Sequence, residues 1–532
     1  MISRRTLLQG TLAGAGALGL ISSRAAWSNP PAPVARTTSG MVRGAVADGV
    51  YAFKGIPYGA TTAGANRFLP PQSPSPWTGV RDALSYGPMA TQRGYGGNET
   101  DEMRVIRNGY LSPQTHQSSE ACLVLNVWAP AFDGHKRPVM FWCHGGGLLW
   151  GMGDCPWCDG ANLARKHDVV VVSLNHRVGV FGFLYLAKFG GERFASSGNL
   201  GMQDIVAALR WVRDNISGFG GDPSNVTAFG VSGGGYKVST LLAMPATRGL
   251  IHKAIVQSGS LLRANSPEAA AATTRKLTVQ LGLKAGEAAR LQQIPPEALL
   301  DAVEKSDGAF DFGPVVDGRS LPTHPFDPGA PAVSATVPMI IGTTHDEGTL
   351  SGLAHTDLFS LDEVSLPAAV RKLGVPEANI EPLIHAYGAS GTPSDIFFAI
   401  ARDADIRKDA ITQAERKAAL GRAPVYMYLF DRPIPGSRYK AGHTTEVPFV
   451  FDNPDLAPGI RGVPKNPQDY ELARNMSSAW AAFAHSGNPN HAGIPQWRPY
   501  DTKQRATLVF DYQCKSENDP LPGGRAAMRL MG

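Results

Sequence analysis

The chain has 532 residues, 43% of them apolar and 18% charged, the make-up of a globular protein with a large core. Arg4, Arg5 and Arg24, the only charged residues before position 29, carry three of its +5 formal charges, and the remaining charges are scattered. With no basic stripe and no interleaved aromatics it offers no phosphate-binding face, which excludes a nucleic-acid partner.

At the N-terminus, Ser3-Arg4-Arg5-Thr6-Leu7-Leu8 resembles a twin-arginine export motif, followed by a weakly apolar, glycine-rich run over residues 7–21. That run is too short and too weak for a membrane span. Cleavage is expected after Ala25, Ala26 or Ser28, giving a signal peptide over 1–28 and one folded domain over 29–532; the alternative is an uncleaved membrane anchor. The expected location is periplasmic or secreted, with the twin-arginine machinery as a partner and no stable membrane insertion after cleavage. No Ser/Gly linker or charge run divides the rest of the chain.

Residues 138–142 read as a buried strand running into Cys143-His144-Gly145-Gly146-Gly147, an HGGG-type loop. Consecutive glycines let backbone N–H groups approach a developing oxyanion, so Gly146 and Gly147 are candidate donors. Leu148, Leu149 and Trp150 follow, and either wall a pocket or simply pack. Cys155-Pro156-Trp157-Cys158 is a CxxC for which a local disulfide or two ordinary thiols are favoured over redox chemistry or a metal, since two further zinc ligands are not visible nearby. Residues 225–229 read as a short buried strand and 236–244 as a helix. Between them Gly230-Val231-Ser232-Gly233-Gly234 forms a Gly-x-Ser-x-Gly elbow, with Ser232 as candidate nucleophile and Gly233 as third oxyanion donor. Further on, residues 338–342 and Val425–Phe430 are strand-like.

Other blocks carry a resemblance: Phe53-Lys54-Gly55-Ile56-Pro57-Tyr58, Arg67-Phe68-Leu69-Pro70-Pro71, the run from Cys122 to Pro130, Phe219-Gly220-Gly221-Asp222-Pro223, and Gln257-Ser258-Gly259-Ser260. With the elbow and the glycine loop, in this order and nearly end to end, they make the chain similar to the type B carboxylesterases, the cholinesterase-like branch of the α/β-hydrolases. The resemblance implies an α/β fold, a mostly parallel twisted sheet flanked by helices, with helical insertions capping the active-site gorge. Residues 261–331 and 350–421 are the expected caps. The domain over 29–532 is then a catalytic domain hydrolysing small-molecule carboxylic esters, with no metal or organic cofactor.

The resemblance also implies the order serine, acid, histidine. It gives the acid role to Glu347 in Asp346-Glu347-Gly348, with Asp346 the rival, and the base role to His443, where Thr444 replaces the usual glycine. Ser258 is expected to hydrogen-bond the histidine or the acid. Val231 and Gly233 stand where Glu and Ala are frequent, and Tyr236 and Lys237 where small residues are common. Many relatives bridge Cys122 to an upstream cysteine, but Ala90 occupies the partner position, so that disulfide is expected to be absent. The rival activities on the same residues are amide or carbamate hydrolysis and lipolysis, and more distantly a noncatalytic binding role.

Overall fold

A computed structural model describes residues 32–93, 117–284, 286–306, 310–461 and 465–531. The expected signal peptide lies outside them. The described residues form an 11-stranded sheet. Its strands are β1 (Ala45–Ala47), β2 (Val50–Pro57), β3 (Val124–Ala129), β4 (Arg137–Cys143), β5 (Val170–Leu174), β6 (Gly221–Val231), β7 (Lys253–Gln257), β8 (Met339–Thr344), β9 (Val425–Phe430), β10 (Ala506–Phe510) and β11 (Lys515–Asn518). In space they run β11-β10-β9-β8-β7-β6-β4-β5-β3-β2-β1. Pairing is parallel from β5 through β4, β6, β7, β8 and β9 to β10, and antiparallel at both edges.

The central strands are continuous apolar runs, as parallel strands covered on both faces must be. Successive side chains point to opposite faces. On β4, Val139, Phe141 and Cys143 join one core, while Met140 and Trp142 join another. The first core is closed by α1 (Leu200–Asn215) through Ile205, Leu209 and Val212, and by α2 (Gly233–Leu241) through Val238 and Leu241. The second is closed by the 20-residue helix Pro467–Ser486 through Leu472, Met476, Trp480 and Phe483. Each fully buried Leu, Ile or Phe contributes about 1.5–3 kcal/mol, so these two layers dominate the stability.

Within the expected cap over 350–421, α3 (Pro393–Ala404) carries Phe397, Phe398 and Ile400 into a separate apolar cluster with Leu366, Val370 and Leu383. The strand expected over 225–229 extends to Gly221–Val231, and the helix expected from 236 begins already at Gly233. The longer strand follows from pairing with β4 and β7 on both sides, which a local reading of propensity does not see.

Candidate active site

The elbow forms where β6 stops. Ser232 has φ 56° and ψ −125°, a region sparsely populated by residues with a Cβ. It is held there from both sides: its N–H donates to Gln257 O on β7 at 2.8 Å, and its carbonyl accepts the Tyr236 N–H at 3.1 Å in the first turn of α2. The flanking glycines have a steric cause. A Cβ at Gly230 would lie 2.6 Å from Cys143 O, and one at Gly234 only 2.1 Å from the same oxygen. The Gly-x-Ser-x-Gly spacing thus lets the end of β4 touch the elbow.

Gly146 and Gly147 adopt φ 87° and 60°, and a Cβ on Gly146 would meet Trp150 O at 2.4 Å. The loop lies against the nucleophile turn, since a Cβ on Gly145 would be 3.7 Å from Ser232 Cβ. Among the described residues, the N–H groups of Gly146, Gly147 and Gly233 donate to no protein acceptor. Leu148 is buried in the first core, whereas Leu149 is half exposed.

Glu347 follows β8 and His443 follows β9, so both arrive at the same carboxyl edge of the parallel strands as Ser232. Glu347 is buried; its Oε1 accepts the Thr344 N–H at 2.7 Å, and its Oε2 lies 2.5 Å from His443 Nδ1. Asp346 instead accepts the Ala441 N–H at 3.1 Å. The histidine loop is fixed by Tyr439, whose hydroxyl donates to His443 O at 2.8 Å. Thr444 sits at φ 74°, a left-handed conformation costing a non-glycine residue about 1–2 kcal/mol. The loop therefore keeps a glycine-like turn without the glycine. Among the described residues neither Ser232 Oγ nor His443 Nε2 makes a hydrogen bond, as is common in unliganded sites.

Ser258 differs from expectation. Its N–H donates to Gly342 O at 2.8 Å, but its buried Oγ has no partner among the described residues, so the expected bond to the histidine or the acid is not made. Its φ of 48° turns the chain sharply at the end of β7. Cys155 and Cys158 are disulfide-bonded, while Cys122 and Cys143 are free and buried.

Two acids escaped the sequence reading. Glu446 is fully buried, and burial together with the Glu347 charge pushes it up to about 7, opposed by a Gln257 hydrogen bond. Asp405, at the solvent-exposed break between α3 and α4 (Ile406–Ala419), is raised by partial desolvation and by the Glu347 charge. Glu446 was visible as an acid inside an apolar run; Asp405 had no local signal. Burial lowers the His443 pKa, but the charge and hydrogen bond of Glu347, with Glu446 and Asp405, outweigh it and raise it overall. A partly exposed serine on a strained elbow, free loop N–H groups and a carboxylate-held imidazole at one sheet edge suit acyl transfer.

The sequence profile of the carboxylesterase family matches residues 31–522. The chain is 37% identical to a para-nitrobenzyl esterase of Bacillus subtilis (strain 168) over 496 residues, 92% of this chain and 96% of that one. It is 33% identical to a phenmedipham hydrolase of Pseudarthrobacter oxydans over 491 residues, covering 90% and 94%. Its structure superposes on a Geobacillus stearothermophilus carboxylesterase with TM-score 0.82 at 40% identity, covering 93% of this chain and 99% of the other. By its fold, its family profile and these relatives, the chain belongs to the carboxylesterase family and is a carboxylic ester hydrolase.

Proposed function

We propose that the protein hydrolyses carboxylic esters through Ser232, His443 and Glu347 with an acyl-enzyme intermediate. Ser232 Oγ attacks the carbonyl carbon while its proton passes to His443 Nε2, and Glu347 holds the imidazole in one tautomer and stabilises the imidazolium. The carbonyl oxygen, now negative, is bound by the N–H groups of Gly146, Gly147 and Gly233. As the tetrahedral intermediate collapses, the C–O bond breaks and His443 protonates the departing alcohol. Water then attacks the acyl-enzyme by the same route, giving the acid and free Ser232.

What supports this reading above all is the 2.5 Å contact of His443 Nδ1 with Glu347 Oε2, two buried groups brought together from loops 96 positions apart. An organophosphate tests it. One phosphoryl group should be found on the peptide containing Ser232, and Ser232→Ala should neither label nor turn over a nitrophenyl ester above background. Labelling elsewhere overturns the assignment.

The domain over 29–532 is in this reading the catalytic unit, exported as a folded protein behind the twin-arginine segment over 1–28 and released to the periplasm or beyond. The support is Arg4-Arg5 before a weakly apolar run. Among the described residues no helix is long and apolar enough to cross a membrane.

A further inference from the structure

Lys237 lies one turn into α2 and is completely buried. Among the described residues it has no carboxylate partner. Its Nζ donates to His144 O at 2.8 Å and lies 3.4 Å from His144 Nδ1. His144 opens the glycine loop, and its ring stacks on His176 with centroids 4.7 Å apart. Burial and the nearby Lys237 charge hold both imidazoles well below their ordinary pKa, leaving Lys237 the one cation of this cluster. Burial also draws the lysine itself down to about 7, with Cys143 acting in the opposite sense.

A buried ammonium without a counter-ion destabilises a fold, and an apolar side chain of similar length would not. The fold nevertheless spends this cation on one carbonyl, that of His144. At the next residues the same helix meets the same loop: a Cβ on Gly233 would lie 1.8 Å from Gly147 O, and one on Gly234 would lie 3.0 Å from His144 O. We propose that Lys237 is a positioning residue for the oxyanion loop, its ammonium fastening His144 to α2 and thereby fixing the Gly146 and Gly147 N–H groups relative to Gly233. A charge-assisted hydrogen bond is roughly twice as strong as a neutral one, which suits a tether that must hold glycines with little stiffness of their own. While protonated, Lys237 also places positive charge in a low-dielectric interior beside the loop, which favours the negative charge that develops there.

This inference rests on the acyl-transfer reading above, and the test separates the two. In the full chain, Lys237→Met and Lys237→Gln are compared with the wild type for nitrophenyl ester turnover, thermal midpoint, and inhibition by a trifluoromethyl ketone, which forms an oxyanion on the nucleophile. Lys237→Met should melt at the same or a higher temperature, lose kcat by about tenfold or more at a KM changed less than about twofold, and bind the ketone more weakly in proportion. Lys237→Gln, which keeps an N–H donor without the charge, should fall between. Unchanged kcat and ketone inhibition overturn the proposal. So does a kcat loss that tracks a lower melting temperature, or failure of both variants to fold, because the lysine would then serve the fold. Organophosphate labelling of wild-type Ser232 is read independently: if it fails, the acyl-transfer reading falls; if it succeeds while Lys237→Met behaves as wild type, only the Lys237 proposal falls.

Discussion

Gln257 donates its side-chain amide to Glu446 Oε1 at 3.1 Å, while its backbone carbonyl accepts the Ser232 N–H at 2.8 Å. One residue at the end of β7 thus ties the nucleophile turn to the loop that carries His443. The amide's orientation follows from Trp480, whose indole N–H can only donate and lies 3.2 Å from Gln257 Oε1. Glu446 Oε2 is left buried with no partner among the described residues, which adds to the cost of ionising this carboxyl.

Glu446→Gln should move the acid limb of kcat/KM to lower pH. The carboxylate helps raise the His443 pKa, so its removal lets that pKa fall and the neutral imidazole persist in more acid solution. A limb that stays in place or moves upward refutes the coupling. Stability gives a second check. Glu446 is raised from 4.5 to about 7 on folding, so the stability its proton confers is full below 4.5 and lost as pH rises through 7. The loss of thermal midpoint between about pH 5 and about pH 8 should be smaller in the variant than in the wild type.

Replacing the carboxylate that holds the imidazole should be far more costly than replacing its neighbour. Glu347→Gln should fold normally yet lose kcat on the order of 10⁴-fold, by analogy with the serine-protease triad acid. Asp346→Asn should leave kcat within a few fold and cost about 1 kcal/mol of stability through its bond to the Ala441 N–H. Steady-state kinetics and chemical denaturation decide between them; the reverse pattern would make Asp346 the acid.

Gly233→Ala introduces the residue frequent in relatives, yet here its Cβ would lie 1.8 Å from Gly147 O, a backbone atom that cannot yield by a rotamer change. The loop must shift, and kcat should fall at least about tenfold with a stability loss of about 1–3 kcal/mol. Full activity in this variant would show that the loop relaxes freely.

For export, Arg4→Lys with Arg5→Lys should trap active, unprocessed enzyme in the cytoplasm, because the proposed catalytic domain lies wholly downstream. The mature N-terminus, read by mass spectrometry of the exported wild type, should fall between residues 26 and 29. Undiminished export of the double variant excludes the twin-arginine route, and an intact Met1 on membrane-bound enzyme favours the anchor.

The sequence by itself determined the elbow and the glycine loop, because each depends on backbone geometry that only glycine at fixed spacing permits. It could not by its own residues choose Glu347 over Asp346: both sit in one turn, and only the arrival of the His443 loop, 96 positions on, makes one face the imidazole while the other meets Ala441. Glu446, Asp405 and Lys237 belong to the same class. The burial of Glu446 and Lys237, the charges that act on Asp405 from distant elements, and the lack of a partner for Ser258 Oγ carry no local pattern. Local steric rules are written residue by residue, whereas solvation and charge at this site exist only once parallel strands bring separate segments to one edge.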